Sequence, residues 1–574
     1  MDPSRLNRSL KQAEGLLNTA SLHDAEAIYR EILNEVPGQP KASQGLGLIA
    51  LHTGNASAAV ELLQTAAISL PNDPSINTQL GLAFGAAGDQ KSSEFCLRRA
   101  LELAPNFADG HLNLANLLLE SGRITEAATS YKNAIELAPE NGSIHYGIGL
   151  LEMRRGDQSA AIEAFETAVR FAPALFPARV NLANLMLYAG QHAKAVSHLE
   201  EAVAYAPNNF DAQLNLCAAL QQTNRTSEAV EVARSALSLV PESPELLLNL
   251  SSAETADGNP EDAWRTLDRA LGIAPDYGPA KLNRAMVRLL LNDIPGAWED
   301  FETRPSRGAI PNPGIAAIQE WQDQSLEGKV IIVWAEQGFG DVLQFVRFLP
   351  RLKELGAKVI FAATQPLQRL LTFFDGIDAY YDLDGSEPLP FIDFHLPLLS
   401  IMHRLKISKT DVKASRNYIK TQTTKSELWQ PSGSKSIGLC WQGSSTNPND
   451  HRRSLQPDDL FKRLQKFDLE LVGLQYGAND TLINNPGGLV SDFTDLALLI
   501  EQLDLVITVD TSVAHLAGAM GKRVWVMLPF APDWRWMTIR SDSPWYPSMR
   551  LFRQARPGDW ISVYNALEDA ITEL

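Results

Sequence analysis

The chain has 574 residues, of which 45% are hydrophobic and 21% are charged, and its formal net charge is −18. This length exceeds one ordinary hydrophobic core and predicts several units or a repeat array. The acidic balance argues against a nucleic-acid-binding surface spread over the whole molecule, although a local basic pocket for an anion is compatible with it.

The first half of the chain is periodic. Prolines recur every 34 residues, small residues recur at two further phases of the same period, and a glycine or asparagine recurs between them. Small residues let two helices approach closely, glycine or asparagine tolerates the left-handed backbone where a helix stops, and proline ends the second helix of each pair. The prolines are Pro37, Pro71, Pro105, Pro139, Pro173, Pro207, Pro241 and Pro275.

This pattern resembles the tetratricopeptide repeat, and we expect it to cover residues 1–305. The resemblance implies paired antiparallel helices stacked into a superhelix whose concave groove binds a peptide or protein segment.

Asparagines share one phase of the predicted groove, two residues before the small position of the first helix. A carboxamide both donates and accepts, so a row of them would clamp an extended peptide backbone. The row resembles the asparagine ladder of O-linked N-acetylglucosamine transferase and is interrupted by Gln79 and Gly147. The alternative is that these amides bond only the neighbouring repeat or water. The predicted acceptor-binding residues are Asn113, Asn181, Asn215, Asn249 and Asn283.

After the repeats, a Pro/Gly-rich connection over 306–328 leads into short apolar runs that alternate with helical stretches. This rhythm predicts parallel sheets with crossover helices, so the fold class is an all-α repeat solenoid followed by an α/β domain. We expect two small Rossmann-type lobes, over 329–425 and 435–574, separated by a polar loop.

The first motif of this half is WAEQGFGD, Trp334 to Asp341. Gly338 and Gly340 let the backbone turn tightly out of a strand and approach a ligand. Asp341 opens the next helix, where it would either cap that helix or accept the proton of an attacking hydroxyl.

The second motif is CWQGSSTNPNDHRRSL, in which a strand runs into a polar loop. Gln442 and Arg453 are its candidate ligand-binding residues, because an arginine offers a planar fork to phosphate or carboxylate. The alternative is an ordinary polar surface loop.

The third motif, LDLVITVDTSVAHLAGAMG, is a buried strand followed by a helix. The amides at Thr511 and Ser512 point out of the positive end of that helix and form an anion site. His515 lies one turn in, where it would bond a phosphate oxygen. The alternatives are that His515 is simply a satisfied polar residue and that Asp510 simply bonds turn amides.

Together with LPFAPDWRW, these motifs resemble the glycosyltransferase domain found behind bacterial tetratricopeptide repeats, which is similar to the heptosyltransferase family of the GT-B fold. The resemblance covers residues 320–560 and implies a nucleotide-sugar donor between the lobes. It assigns the donor phosphate to Asp510, Thr511, Ser512 and His515 and the role of base to Asp341. The first lobe is short beside a full GT-B lobe, and the usual Asp-Thr-Gly is Asp510-Thr511-Ser512 here.

We therefore expect a glycosyltransferase that needs no metal or other cofactor, uses a nucleotide sugar as substrate and transfers to a protein serine or threonine held by the repeats. Flagellin is a candidate acceptor, since cytoplasmic enzymes of this layout modify it. The cysteines Cys96, Cys217 and Cys440 show no zinc or disulfide spacing, and Asp382-Leu383-Asp384 is a weak cation signal in an expected loop. The N-terminus lacks the apolar segment of a signal peptide, and no apolar run reaches membrane-spanning length, so we expect a cytoplasmic protein.

Two alternatives stay open from the sequence. One is a glycosyltransferase acting on lipopolysaccharide or another glycan, with the repeats serving assembly. The other is a tetratricopeptide scaffold with a degenerate, non-catalytic transferase domain.

Overall fold

A computed structural model describes residues 2–19, 21–385, 387–414, 417–423, 426–444, 447, 450–477 and 483–574. The chain forms two compact units, Met1–Ala219 and Leu220–Leu574. The repeat boundary predicted near residue 305 therefore lies inside the second unit, which contains the last repeats together with both sheets.

The first unit is built from antiparallel helix pairs, and the same helix lengths continue into the second unit. None of the helices among the described residues combines the length and the apolarity that crossing a bilayer requires. The helices up to α13, within which the division lies, are α1 (Pro3–Asn18), α2 (Leu22–Glu35), α3 (Pro40–His52), α4 (Ala56–Ser69), α5 (Pro74–Ala86), α6 (Gln90–Leu103), α7 (Ala108–Glu120), α8 (Ile124–Leu137), α9 (Gly142–Arg155), α10 (Gln158–Phe171), α11 (Phe176–Tyr188), α12 (His192–Tyr205) and α13 (Phe210–Gln222). The remaining repeat helices are α14 (Thr226–Leu239), α15 (Pro244–Ala256), α16 (Pro260–Ile273), α17 (Gly278–Leu290) and α18 (Ile294–Phe301).

The predicted turn chemistry of the repeats is confirmed. Gly54, Gly88 and Gly122 have φ between 74° and 83°, and the two asparagines that replace glycine at this phase, Asn224 and Asn292, have φ of 59° and 64°. Only glycine and asparagine enter this left-handed region readily. The second helix of each predicted pair ends two residues before its proline, as α4 does at Ser69.

The small positions exist because a large side chain of the paired helix fills the space. A Cβ on Gly47 would lie 2.6 Å from the Leu63 side chain, and one on Gly149 would lie 2.4 Å from the Phe165 ring. The two helices of a pair can therefore pack closely because one of them has no side chain at the point of contact.

The second unit contains two parallel sheets, as the sequence predicts. The first lobe has β1 (Val330–Trp334), β2 (Lys358–Ala363), β3 (Ala379–Asp382) and β4 (Phe394–Pro397) in the order β3-β2-β1-β4. The second lobe has β5 (Ser436–Cys440), β6 (Glu470–Gly473), β7 (Leu505–Val509), β8 (Val524–Leu528) and β9 (Met549–Arg553) in the order β6-β5-β7-β8-β9. Both orders are those of doubly wound α/β sheets, in which crossover helices cover the faces.

Helices precede, connect and follow these strands. The first lobe has α19 (Pro313–Ala316), α20 (Phe339–Phe345), α21 (Leu349–Glu354), α22 (Gln368–Leu371), α23 (Ile401–Arg404) and α24 (Lys409–Ala414). The second lobe has α25 (Asp450–Arg453), α26 (Asp458–Leu464), α27 (Phe493–Glu501), α28 (Ser512–Ala519) and α29 (Trp560–Thr572). Single 3₁₀ turns lie at Pro305–Gly308, Val346–Phe348, Gln365–Leu367, Leu398–Ser400, Pro486–Leu489 and Trp534–Trp536.

One hydrophobic core joins the last repeats to both lobes within the second unit. Trp534 of the second lobe belongs to this core, with its ring centroid 6.4 Å from that of Trp298, 6.3 Å from that of Phe301 and 6.4 Å from that of Phe345. The Trp298 indole also donates to the Ile407 carbonyl at 3.1 Å. The last repeat is thus packed as part of the α/β domain.

Candidate functional site

The second sheet has an open carboxyl edge. Its strand order reverses between β5 and β7, which is the point where open α/β sheets bind ligands. A cleft of about 370 Å³ lies there, bounded on one side by the loops after β5, β7 and β8 and on the other by α13, α15 and α17 of the last repeats.

Arg453 and Asp510 line this cleft on the side of the sheet. Arg453 donates from Nη1 to the Asp510 carbonyl oxygen at 2.7 Å and from Nε to the Asp450 carboxylate at 3.1 Å. Gly443 leaves room for this pair, because a Cβ there would lie 2.4 Å from the Asp450 carboxylate and 2.6 Å from Arg453 Nη2. The loop after β5 is therefore fixed to the end of β7 by the guanidinium.

The repeats supply the other side of the cleft with hydroxyl, amide and apolar groups. Asn283 of the predicted ladder is among them, and its Nδ2 donates to the Ser252 hydroxyl at 3.2 Å. Arg452 lines the same cleft and donates to the Gln221 carbonyl of α13 at 2.7 Å, which connects the two walls. The repeat side chains in the lining are Gln221, Gln222, Ser251, Ser252, Thr255, Ala256, Asn283, Met286, Val287 and Leu290.

The pKa of one carboxyl group in the cleft lining, that of Asp510, is raised. The pKa of Asp510 is raised to about 6, mainly by burial. The negative charge of Asp533 acts in the same direction, and the charges of Arg453 and Arg535 oppose it. Asp533 also lines the cleft, and its carboxylate accepts from Arg535 Nη1 at 2.8 Å. A carboxylate that titrates near neutral pH suits proton transfer.

Asp341 lies at the contact between the two lobes. Gly338 is the N-cap of α20 and Asp341 occupies the third helical position, so the alternative that Asp341 is the N-cap is wrong. Its carboxylate forms an ion pair with Arg535, whose Nε donates to Gln344 Oε1 at 2.6 Å. Burial raises the pKa of Asp341 and Arg535 lowers it. Asp341 is not among the residues that line the cleft.

Gly340 serves the packing of the lobes. A Cβ on Gly340 would lie 2.9 Å from the His515 ring of α28, so the missing side chain lets α20 and α28 meet. Gly338 has φ of −65°, which any residue adopts. The sequence predicted that the backbone of this motif approaches a ligand closely. In the structure, the backbone at Gly340 instead approaches the His515 side chain of the second lobe.

His515 is 5% exposed. Its Nδ1 lies 2.9 Å from the Tyr546 hydroxyl and its ring stacks on Trp536 at a centroid distance of 5.5 Å. Burial and the nearby arginines hold the pKa of His515 well below its usual range, so the ring is neutral. These contacts favour the alternative of a satisfied polar residue.

The remaining predicted donor residues divide into two groups. The Thr511 hydroxyl lies 3.1 Å from the Thr508 hydroxyl. The backbone amide of Gln442 donates to Gln475 Oε1 at 3.0 Å. Ser512 is half-buried and begins α28, so its amide has no acceptor inside the helix. Asp382 ends β3 rather than lying in a loop, and its carboxylate accepts the Asp384 amide at 3.0 Å.

The asparagine ladder is partly used by the repeats themselves. In the first unit, Asn181 donates to the Tyr146 hydroxyl at 3.3 Å, as Asn283 does to Ser252 in the second. Gly147 interrupts the ladder because a Cβ there would lie 2.4 Å from the Tyr131 ring. Two of the ladder amides, those of Asn181 and Asn283, therefore each donate one hydrogen bond to the neighbouring repeat. Asn113 and Asn215 lie half-buried on α7 and α13, and Asn249 lies half-buried on α15.

Sequence analysis missed Asp533 and Arg535, although it identified the motif that contains them. That motif follows β8, whose carboxyl end adjoins that of β7. Neighbouring parallel strands end at the same edge of a sheet, so the residues that follow β8 could have been predicted to lie near those that follow β7.

The carboxyl edge of the first sheet is closed. Its order reverses between β1 and β4, and Glu336 after β1 accepts the Leu399 amide after β4 at 3.0 Å. Arg304, which follows the last repeat helix, donates to both oxygens of Glu336 at 2.8 Å and to the Ser400 hydroxyl at 2.7 Å. The side chains of Arg304 and Glu336 are each 1% exposed. This buried pair occupies the point where a ligand would otherwise bind.

Tetratricopeptide-repeat proteins resemble the first half of this chain. Tetratricopeptide-repeat family models match residues 10–74, 78–131, 112–175, 186–246 and 217–278. Protein FlbA of Caulobacter vibrioides is 26% identical over 314 residues, which covers 48% of this chain and 52% of FlbA. The chain thus spans about half the length of this curated relative.

Two solved structures each match part of this chain. YrrB, described as a tetratricopeptide protein with an unusual peptide-binding site, matches 32% of this chain and 95% of its own at 24% identity and a TM-score of 0.30. The pilF protein of Pseudomonas aeruginosa matches 37% of this chain and 96% of its own at 18% identity and a TM-score of 0.34. These scores carry no argument about function. The family matches and the helix pairs together establish that the chain contains a tetratricopeptide-repeat solenoid followed by an α/β domain.

Proposed function

We propose that this protein is a glycosyltransferase that moves a sugar from a nucleotide-sugar donor to a serine or threonine hydroxyl of a protein selected by the repeats. The proposal joins the resemblance of the four motifs to the glycosyltransferase family with the position of the cleft. Flagellin remains the candidate acceptor that the resemblance suggests.

The observation that carries the proposal is the composition of the cleft walls. Residues of the donor motifs, Arg453 and Asp510, lie on one wall, and Asn283 of the peptide-binding ladder lies on the other. A donor held at the sheet edge would therefore meet a polypeptide lying along the last repeats. A protein scaffold alone does not require a polar cleft at this edge.

The chemistry that the cleft offers is metal-independent charge stabilisation. As the bond between the anomeric carbon and the donor phosphate breaks, negative charge develops on the phosphate oxygen. Arg453 lines the cleft and α28 begins two residues after Asp510, so the Arg453 guanidinium and the first amides of α28 are candidate donors to this charge. The base for the acceptor hydroxyl is one of two carboxylates, Asp341 or Asp510.

Thermal unfolding in the presence of a panel of nucleotide sugars tests donor binding. A donor at 100 times its dissociation constant should stabilise the protein by about 2.7 kcal/mol. Arg453→Met should lose this shift, whereas Arg265→Met, on an exposed part of α16, should keep it. The donor so identified is then incubated with protein acceptors, and the mass increase of one sugar on serine or threonine is measured. The proposal is wrong if no nucleotide sugar raises the melting temperature or if the only products are glycosylated lipids or glycans.

A non-catalytic scaffold is the second candidate, favoured by the Arg304–Glu336 pair that closes the first sheet edge. Because a full two-lobed enzyme would use both edges around its substrates, this closure is expected of a degenerate transferase. A scaffold would bind protein ligands with unchanged affinity in Arg453→Met and transfer no sugar at any donor concentration.

A further inference from the structure

We infer that Arg535 is a positioning residue for the catalytic base, because it holds one carboxylate oxygen of Asp341 and leaves the other free for the acceptor hydroxyl. This inference rests on the proposed transferase function and on the role of base that the family resemblance gives to Asp341. Arg535 belongs to LPFAPDWRW, the one motif of the four to which sequence analysis assigned no site residue.

The two oxygens of the Asp341 carboxylate have different surroundings. Arg535 forms its ion pair with Oδ1, and no other side chain among the described residues donates a hydrogen bond to this carboxylate. A Cβ on Gly338 would lie 3.7 Å from Oδ2 and within 4 Å of no other described atom outside its chain neighbours. The Asp341 side chain is 17% exposed. Oδ2 is therefore the oxygen that can accept a proton from an incoming hydroxyl.

Arg535 is itself held in place by three further contacts. Its Nε donates to Gln344 Oε1 at 2.6 Å, its Nη1 donates to Asp533 Oδ1 at 2.8 Å, and its guanidinium lies 4.2 Å from the centroid of the Trp534 ring. Gln344 follows Asp341 by three residues on α20, so the guanidinium binds two side chains on one face of that helix. A base that a fixed partner holds from one side keeps its orientation while substrates bind.

The charge of Arg535 also acts on the protonation of Asp341. Burial raises the pKa of Asp341, and the Arg535 charge is the largest effect that lowers it. The charges of Asp533 and Glu336 raise this pKa, and the first amide of the α20 turn lowers it. His515, which packs against α20, is neutral because its own pKa is held well below the usual range. Arg535 therefore favours the ionised carboxylate, which is the form that accepts a proton.

Cohesion of the lobes is the alternative role for this ion pair, since it joins α20 of the first lobe to the loop after β8 of the second. The lobes also share a hydrophobic core, and a second ion pair connects them. In that second pair, Arg369 of α22 contacts Asp492 and Asp495 at the start of α27, and its side chain is 53% exposed. Breaking each pair in turn separates cohesion from positioning.

The step that Arg535 assists balances without any further reactant. The acceptor oxygen forms a bond to the anomeric carbon, and the hydroxyl proton moves to Oδ2 of Asp341. The bond between that carbon and the donor phosphate oxygen breaks, and its electron pair leaves with the nucleotide. Arg535 stays bound to Oδ1 throughout, and Asp341 then returns the proton to solvent.

The test measures transfer by Arg535→Gln and Arg535→Lys in the full chain, with the donor identified by thermal shift and a protein acceptor. Arg535→Gln removes the charge and the planar fork, so kcat should fall by about 10²-fold and the acidic limb of the pH profile should move to higher pH. Arg535→Lys keeps a charge but cannot reproduce the separate bonds of the fork, so its limb should stay in place while kcat falls by about tenfold. The KM for the acceptor should not change in either variant, because Arg535 acts through Asp341.

Two further variants control the comparison. Arg369→Met breaks the other ion pair between the lobes and should keep the wild-type kcat and the wild-type pH profile. Asp341→Asn removes the base itself, so kcat should fall by about 10²- to 10⁴-fold and the acidic limb should disappear.

The inference is overturned if Arg535→Gln, or Arg535→Lys where the former does not fold, transfers at the wild-type kcat. An acidic limb that stays at the wild-type pH in Arg535→Gln would overturn it as well. Equal loss of activity in Arg369→Met would show that the pair serves only cohesion, and a wild-type rate in Asp341→Asn would remove the base. All these results leave the transferase intact, whereas a wild-type protein that transfers no sugar from any donor would refute the proposed function itself.

Discussion

The carboxyl edges of the two sheets differ in what occupies them. The first edge is occupied by the Arg304–Glu336 pair, with both side chains 1% exposed, whereas the second opens into a cleft of about 370 Å³. Both sheets have the strand-order reversal that creates a ligand crevice. The strand order creates a crevice in both sheets. The residues of one or two loops then decide whether the crevice is filled by protein side chains or left open for a ligand.

The difference also explains why the last repeats belong to the second compact unit. Arg304 follows α18 and closes the first edge, while α13, α15 and α17 form a wall of the second. The repeats therefore stabilise one sheet and help to shape the site of the other. Substitutions at each edge should separate these two roles.

The largest expected effect is at the closed edge. Arg304→Met leaves the Glu336 carboxylate buried without its guanidinium, which should lower the free energy of unfolding of the second unit by about 3–5 kcal/mol. Denaturant unfolding followed by tryptophan fluorescence measures this, because Trp298 and Trp534 lie in the joint core. Arg265→Met removes an ion pair whose side chains are 70% and 48% exposed and should cost about 0–1 kcal/mol. Equal losses in the two variants would contradict the assigned role of the buried pair.

At the open edge, removing a buried charge should stabilise the protein instead of destabilising it. The folded-state pKa of Asp510 is raised to about 6 from 3.8, so folding is favoured by its protonated form and this advantage is lost as the pH rises from about 4 to about 6. Asp510→Asn removes that cost and should stabilise the protein by on the order of 2 kcal/mol at pH 7.5 and by little at pH 4. Melting temperatures of both proteins at the two pH values measure it. A variant that is less stable at pH 7.5 would show that the charge of Asp510 is favourably held.

The repeats were predictable because their rules are local. A glycine or asparagine at each 34th residue fixes a left-handed turn, as Gly54 and Asn224 show, and a proline beyond it fixes the end of a helix. Alternation of apolar runs and helical stretches likewise predicted both parallel sheets. The fold class therefore followed from patterns that a short segment carries by itself.

The site was only partly predictable because its partners are distant in sequence. The motifs correctly indicated strand ends, but the Arg535–Asp341 pair joins residues 194 positions apart, and Arg304 reaches Ser400 across 96. Nothing local in Asp341 distinguishes a helix cap, an ion-pair partner and a base. Which wall faces the second edge likewise depends on how the last repeats pack through Trp534, which no local pattern encodes.

A smaller effect is expected where the two lobes touch. A Cβ from Gly340→Ala would lie 2.9 Å from the His515 ring, which Trp536 and Tyr546 hold in place. This overpacking should cost about 1–3 kcal/mol, less the gain in helix propensity. Gly272→Ala in α16 is the matched control, because a Cβ there meets no atom within 4 Å and the helix should gain up to about 1 kcal/mol. Thermal unfolding compares them, and equal melting temperatures would show that α20 and α28 can move apart at no cost.

The smallest effect on stability, and the sharpest test of the open edge, is at the ladder amides. Asn283→Ala and Asn181→Ala each remove one hydrogen bond to a hydroxyl of the preceding repeat, at 3.2 Å and 3.3 Å, and each should cost about 0.5–1.5 kcal/mol. Asn283 lines the cleft, so only its loss should also raise the KM for the protein acceptor, by about tenfold for each 1.4 kcal/mol of binding removed. Steady-state transfer at saturating donor measures both variants. If Asn181→Ala raises KM by as much, the whole ladder clamps the acceptor, and the difference between the two sheet edges no longer accounts for where the polypeptide is held.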